Sequence, residues 1–451
     1  MRWSAHRQVN TGRRARGVLV GMILTAAVIS FGGNASGAAS VTKTVDLSEV
    51  EVLPIPAGNG VAQASATAPT ARSPLPDGYE EQEYLVRGTA SLYDGPARGP
   101  VKVESTDHPF VTRVLVRAPT DPSAFSGTVW VEPFNTSGGG EADALWGSLG
   151  PLAEQRGDAW VGVTVRNGSV ARLQEFDAAR YADLNLAATA YGWDILRDVG
   201  TLLKTNNSKS PLADLAVKHM YLGGYSQSGV DVGTFASSFH DVTRLKGDKP
   251  TYDGYLVGAR AGNLSPLQSS GALIPAFQTA ALRNLDVPTI DLEPQANAEG
   301  FAVEVPTVIA RDAGLAGADK ITTPTFIYTS AGGVVVRKPD TNAPDNRYRL
   351  YEVAGAPHSN GGATAACPGI SSFPVRFFTR AAEANLARWA EKGTPPSPAP
   401  RLTLATKDDV SVAKTDQYGN AVGGLRSPFV DLPLPRYEAH QPGSSCGDRS
   451  A

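Results

Sequence analysis

Met220-Tyr221-Leu222-Gly223-Gly224-Tyr225-Ser226-Gln227-Ser228-Gly229 joins a short apolar run to a chain of small residues that reads as a helix through about Phe239. A serine hydroxyl is a poor nucleophile. It becomes useful when a sharp strand-to-helix turn exposes it to a base and to backbone donors. That turn crowds the positions two before and two after the serine, so both must be small. Here they are Gly224 and Ser228, with a serine where a second glycine is usual. Ser228 is the weaker nucleophile candidate, because its own neighbours at those offsets are Ser226 and β-branched Val230.

Strands alternating with helices extend outward from this turn. Upstream, Tyr84–Gly88, Val111–Val116, Gly127–Glu132 and Ala159–Val165 carry the β-branched or unbroken apolar content of strands. A helix is expected over about Gly192 to Thr205, with Ile195, Val199, Leu202 and Leu203 on one side. Downstream, Tyr255–Gly258, Pro288–Leu292, Thr325–Tyr328 and Tyr348–Val353 read as strands. A last helix covers about Pro374 to Lys392 and stops at Gly393 and Pro395-Pro396. This order predicts an α/β fold: a mostly parallel sheet with helices on both faces. The expected layout is a lead-in over residues 39–80 and one main domain over 81–451. Weak periodicity over 263–320 suggests a cap or lid.

The base should follow the last strand, since this architecture orders its residues as serine, acid, histidine. His358 stands there, at the end of Ala354-Gly355-Ala356-Pro357-His358. The other five of the six histidines lie in the leader, in loops or near element ends. Backbone amides of Gln227 and of the loop Asn135-Thr136-Ser137-Gly138-Gly139-Gly140 are the expected oxyanion donors, with Asn135 and Thr136 named first.

These stretches resemble an α/β-hydrolase-domain family of mostly exported bacterial proteins, from about Tyr79 to Leu402. The resemblance is carried by Gly127–Glu132 with Asn135–Gly139, by Ala179-Arg180-Tyr181 and by Trp193-Asp194-Ile195. It continues in Gly224–Ser228, Arg337–Asp340 and Arg349–His358. It implies the α/β-hydrolase fold, with Ser226 and His358 as the catalytic pair. The departure is at the acid. Where the family tends to carry a Glu-Thr-Glu-x-Asp-like string, this chain reads Glu293-Pro294-Gln295-Ala296-Asn297. Amides stand in place of two carboxylates. Glu293, which ends the expected strand, is the leading substitute acid, and Asp340 and Glu352 are the others.

The chain has 451 residues, 41% hydrophobic and 19% charged, with a formal net charge of -3. That profile fits a globular protein with a large core. A basic start, Arg2 to Arg16, precedes an apolar run from Gly17 to Phe31 and small residues to Ala38. The run is shorter than the roughly 20 residues a membrane span needs. Residues 1–38 therefore read as a cleaved export signal, and the protein is expected to be secreted or extracytoplasmic. In such a compartment Cys367 and Cys446, the only cysteines, would pair. Closing a loop of about 80 residues would stabilise the fold by roughly 4–5 kcal/mol. Neither a metal motif nor a phosphate-binding loop occurs, so no cofactor or metal is implied. No basic stretch beyond the leader suggests nucleic acid. The expectation is a secreted serine hydrolase acting on a small-molecule carboxylic ester. Its rivals are a non-catalytic binding protein of the same fold and an envelope acyltransferase.

Overall fold

The computed structural model describes residues 47–60, 62, 75–137, 140–268, 278–279, 281–299, 303–305, 325–328, 337–358, 373–407, 410–432, 435–439 and 448–450. All belong to one unit spanning residues 41–451. Residues 1–38, expected to be an export signal, both cysteines, Gly138 and Gly139 lie outside the described residues.

The core is a sheet of ten strands. In chain order these are β1 (Glu51–Pro54), β2 (Tyr79–Asp94), β3 (Lys102–Pro119), β4 (Thr128–Pro133), β5 (Ala159–Val163), β6 (His219–Tyr225), β7 (Gly254–Gly258), β8 (Thr289–Pro294), β9 (Thr341–Ala343) and β10 (Asn346–Val353). Their spatial order is β1-β2-β3-β5-β4-β6-β7-β8-β10-β9. The run from β5 to β10 is parallel, while the β1–β2–β3 flank and terminal β9 are antiparallel.

Side chains along each central strand alternate between two cores, as the period of two requires. Val129 and Val131 of β4, Met220 and Leu222 of β6, and Tyr255 and Val257 of β7 face one core. Helices α3 (Gly192–Lys204) and α4 (Gln227–Ser238) cover it with Ile195, Val199, Val232 and Phe235. Trp130, Tyr221 and Leu256 face the other core. There α1 (Trp146–Arg156) and α6 (Val375–Lys392) supply Trp146, Leu149 and Leu386. The short helices α2 (Asn167–Phe176) and α5 (Gln295–Glu299) complete the set used below.

The expected α/β architecture is present, with adjustments. The lead-in contains β1, which pairs with Tyr84–Arg87 of β2. Thr325–Tyr328 is a strand, but it pairs with Val303–Val305 outside the central sheet. The stretch 263–320 contains β8, a central strand, and residues 306–320 of it are outside the described set.

Candidate active site

Ser226 sits between β6 and α4 with φ 59° and ψ -125°, a left-handed conformation that a side-chain-bearing residue enters only under strain. The surrounding contacts impose it. Ser226 N–H donates to the Gly258 carbonyl at 2.9 Å. Ser228 Oγ accepts from Tyr225 N–H and donates to the Tyr225 carbonyl, both at 3.0 Å, so the serine replacing a glycine ties the turn shut. Gly224 cannot change: a Cβ there would lie 2.5 Å from the Ser228 carbonyl oxygen. The true second small position is Gly229, where a Cβ would meet the Gly258 oxygen at 2.1 Å.

The turn presents Ser226 to His358. Ser226 Oγ lies 2.8 Å from His358 Nε2, and His358 Nδ1 lies 2.7 Å from Asn297 Oδ1. An amide oxygen can only accept, so Nδ1 carries the proton and Nε2 is left to accept from the serine hydroxyl. Burial pushes the imidazole down to about 4 although its edge reaches the surface, so the ring is neutral at physiological pH and free to accept a proton, as a weaker base than an exposed histidine. The histidine loop is held in register along α5. Gln295 Oε1 accepts from Gly355 N–H at 2.6 Å, and Ala296 N–H donates to the Ala356 carbonyl at 3.2 Å. Asn297 then takes the imidazole. Tyr225 Oη donates to the His358 carbonyl at 2.8 Å, joining that loop to the elbow.

The expectation that Glu293 is the acid is corrected by this geometry. Glu293 is buried at the end of β8; its Oε2 accepts from Ala261 N–H at 3.2 Å, and among the described residues its Oε1 has no hydrogen-bond partner. Burial, reinforced by the neighbouring Asp291 charge, pushes its carboxyl up to about 8, so it is neutral near pH 7. The other two carboxylates are also committed elsewhere. Asp340 pairs with Arg401 at 2.7 Å, and Glu352 receives Arg337 in a fork at 2.7 and 2.8 Å.

Two of the expected oxyanion donors need the same correction. Asn135 N–H donates to the Ala142 carbonyl at 3.0 Å, and Thr136 N–H donates to Gln227 Oε1 at 2.9 Å. Ser137 N–H is taken by Asn135 Oδ1 at 2.9 Å. Gln227 opens α4, and the first N–H groups of a helix have no partner within it. Its backbone N–H is therefore left without a partner inside α4, beside Ser226.

Sequence reading missed Tyr225, and it missed the buried pair behind the elbow. Arg166 Nη2 meets Asp231 Oδ1 at 2.7 Å, and Gln227 Nε2 donates to Asp231 Oδ2 at 2.5 Å. The spacing of Gln227 and Asp231, one helical turn, was the available signal. Among the described residues no group of three or more metal-ligating side chains is assembled, and no helix is long and apolar enough to cross a membrane.

A family model described as "Alpha/beta hydrolase domain" matches residues 52–449. Among solved structures the chain is similar to esterase Est22, at 12% identity over 70% of this chain and 81% of that one, with a TM-score of 0.35. It is similar to a fungal esterase from Rhizomucor miehei, at 9% identity over 71% and 87%, TM-score 0.35. Thermogutta terrifontis esterase 2 phosphonylated by cyclosarin matches at 10% identity over 68% and 96%, TM-score 0.33. A search of curated proteins finds no match.

Proposed function

The chain belongs to the alpha/beta hydrolase domain family that matches its residues 52–449, and on that premise we propose that it is an exported serine hydrolase cleaving a small carboxylic ester. One observation carries the reading: Ser226 Oγ stands 2.8 Å from the neutral Nε2 of His358. In the first half-reaction Oγ attacks the ester carbonyl while Nε2 takes its proton. The developing oxyanion is met by the Gln227 backbone N–H and the positive end of α4. Nε2–H then protonates the leaving alkoxide, which departs as an alcohol and leaves an acyl-serine. Water then attacks the acyl carbon while Nε2 takes its proton; the bond from that carbon to Ser226 Oγ breaks, the carboxylic acid leaves, and His358 returns the proton to Oγ. Asn297 holds Nδ1–H throughout and adds no charge to stabilise the imidazolium.

Ser226→Ala is expected to reduce hydrolysis of p-nitrophenyl acetate to the uncatalysed rate and to abolish labelling by a fluorophosphonate. Equal turnover by the variant would reject the nucleophile. The amide in the acid's place favours one rival, a non-catalytic binding protein of this fold. Complete lack of labelling of the unmodified protein would support that rival.

A further inference from the structure

We propose that Asp231 is a positioning residue for the reaction: through the side chain of Gln227 it fixes the loop Asn135–Ser137 against one flank of the nucleophile. The inference rests on the serine-hydrolase reading of Ser226. A primary amide has two ends with opposite hydrogen-bonding character, and its rotation decides which groups it can serve. Gln227 Oε1 accepts from Thr136 N–H at 2.9 Å and from Thr136 Oγ1 at 3.2 Å. A half-turn would aim the amide's NH2 at the Thr136 N–H, which can only donate. Asp231 prevents that half-turn, because its Oδ2 accepts from Gln227 Nε2 at 2.5 Å.

Asp231 is itself held from two sides. Arg166 binds it as a fork, with Nη2 at 2.7 Å from Oδ1 and Nε at 3.2 Å from Oδ2, and Ser265 Oγ donates to Oδ1 at 2.7 Å. Arg166, Asp231, Ser265, Gln227 and Thr136 are all buried, so water cannot substitute for a lost member without a space being opened. On the other flank of Ser226, Asn135 Nδ2 donates to the Tyr225 carbonyl at 2.7 Å. The loop thus grips residues 225 and 227, and the orientation of one glutamine amide, set by Asp231, determines half of that grip.

The test compares Gln227→Leu, Asp231→Asn and the double variant with the unmodified protein, using p-nitrophenyl acetate turnover and inhibition by phenylboronic acid, which forms a tetrahedral adduct on a serine. Gln227→Leu keeps the backbone N–H and the Arg166–Asp231 pair. It is expected to lower kcat by about 10- to 100-fold with KM within about 2-fold, and to weaken phenylboronic acid by a similar factor, because tetrahedral geometry is what the grip serves. Adding Asp231→Asn to Gln227→Leu should cost no further kcat, since Asp231 acts only through that side chain. Unchanged kcat and boronate affinity in Gln227→Leu overturn the proposal, as do fully additive losses. If Asp231→Asn does not fold, Arg166→Lys takes its place, since it keeps the buried counter-charge and loses the fork that aims Asp231: an unchanged kcat overturns the proposal, and a loss that disappears in the Gln227→Leu background supports it. An unmodified protein that neither turns over ester nor labels at Ser226 would remove the serine-hydrolase premise; a labelled protein whose variants keep their kcat would remove this inference only.

Discussion

At the residue scale, the chemistry turns on what an amide does in a carboxylate's place. Replacing the acid of a serine triad by an amide can cost on the order of 10⁴ in turnover when the wrong histidine tautomer results. Here Asn297 Oδ1 faces Nδ1 at 2.7 Å and its buried Nδ2 has no partner among the described residues, so the orientation that keeps the productive tautomer turns that donor away from the imidazole. Only the charge is missing. Asn297→Asp should supply it, raising kcat/KM at pH 8 by about 10- to 100-fold if imidazolium stabilisation is what the site lacks. The two proteins should also differ in pH profile. The base must be unprotonated, so its rate is lost as pH falls through its pKa. With the imidazole pushed down to about 4, the native profile should stay flat from pH 8 to about pH 5. The new carboxylate favours imidazolium and should move that limb toward neutrality. A variant with the same limb and no gain in rate would mean that Asn297 does not act on the base.

At the element scale, the elbow, most of the central strands and the places of Ser226 after one strand and His358 after another were legible because each has a local cause. A crowded turn needs glycine, and a strand covered on both faces needs an unbroken apolar run. Helix α1 was not legible: Gly147, Gly150 and Pro151 break its pattern, and tertiary packing holds it nonetheless. The pair of α1 with α6 contains an instructive proton. Ser148 Oγ lies 2.8 Å from both the Leu145 carbonyl and Glu383 Oε1, yet a hydroxyl has one hydrogen. The second bond requires a protonated Glu383, and burial pushes that carboxyl up to about 8. A folded-state pKa above the unfolded value means that stability is full below the unfolded pKa near 4.5 and is lost as pH rises toward 8. Glu383→Gln keeps the shape and a donor but has no proton to lose. Thermal melts should show the variant more stable than the native protein at pH 8, by on the order of a few kcal/mol, with the gap closing toward pH 5. A gap that is constant with pH would place the proton elsewhere.

At the scale of the whole molecule, an antiparallel flank must be joined to a parallel sheet, and charge does part of the joining. Arg113 of β3 is buried between Glu83 of β2 and Glu141 of the loop after β4, with its Nη1 2.7 Å from Glu141 Oε2. Arg180 completes the group by meeting Glu83 at 2.6 Å, while Thr164 Oγ1 donates to Glu141 at 2.9 Å. Burial works against the charge of Glu83, but the two guanidiniums outweigh it and hold the carboxyl below the ordinary range. None of this was readable beforehand, because a charged residue in a strand gives no local sign that it will be paired across distant elements. Arg113 also lies over the Phe134 ring at 5.0 Å, beside the loop that grips the elbow. Removing the guanidinium leaves Glu83 with Arg180 alone, and takes its partner from Glu141, whose carboxyl burial already pushes up. Arg113→Met, similar in length and uncharged, should therefore lower stability by about 3–5 kcal/mol, read as a lower urea midpoint with an unchanged slope. Ester turnover should fall as well, at temperatures where the variant is still folded, because Glu141 anchors the loop from below. A midpoint equal to that of the native protein would mean that water or rearranged side chains satisfy both carboxylates, and the arginine would then be dispensable as the link between the two halves of the sheet.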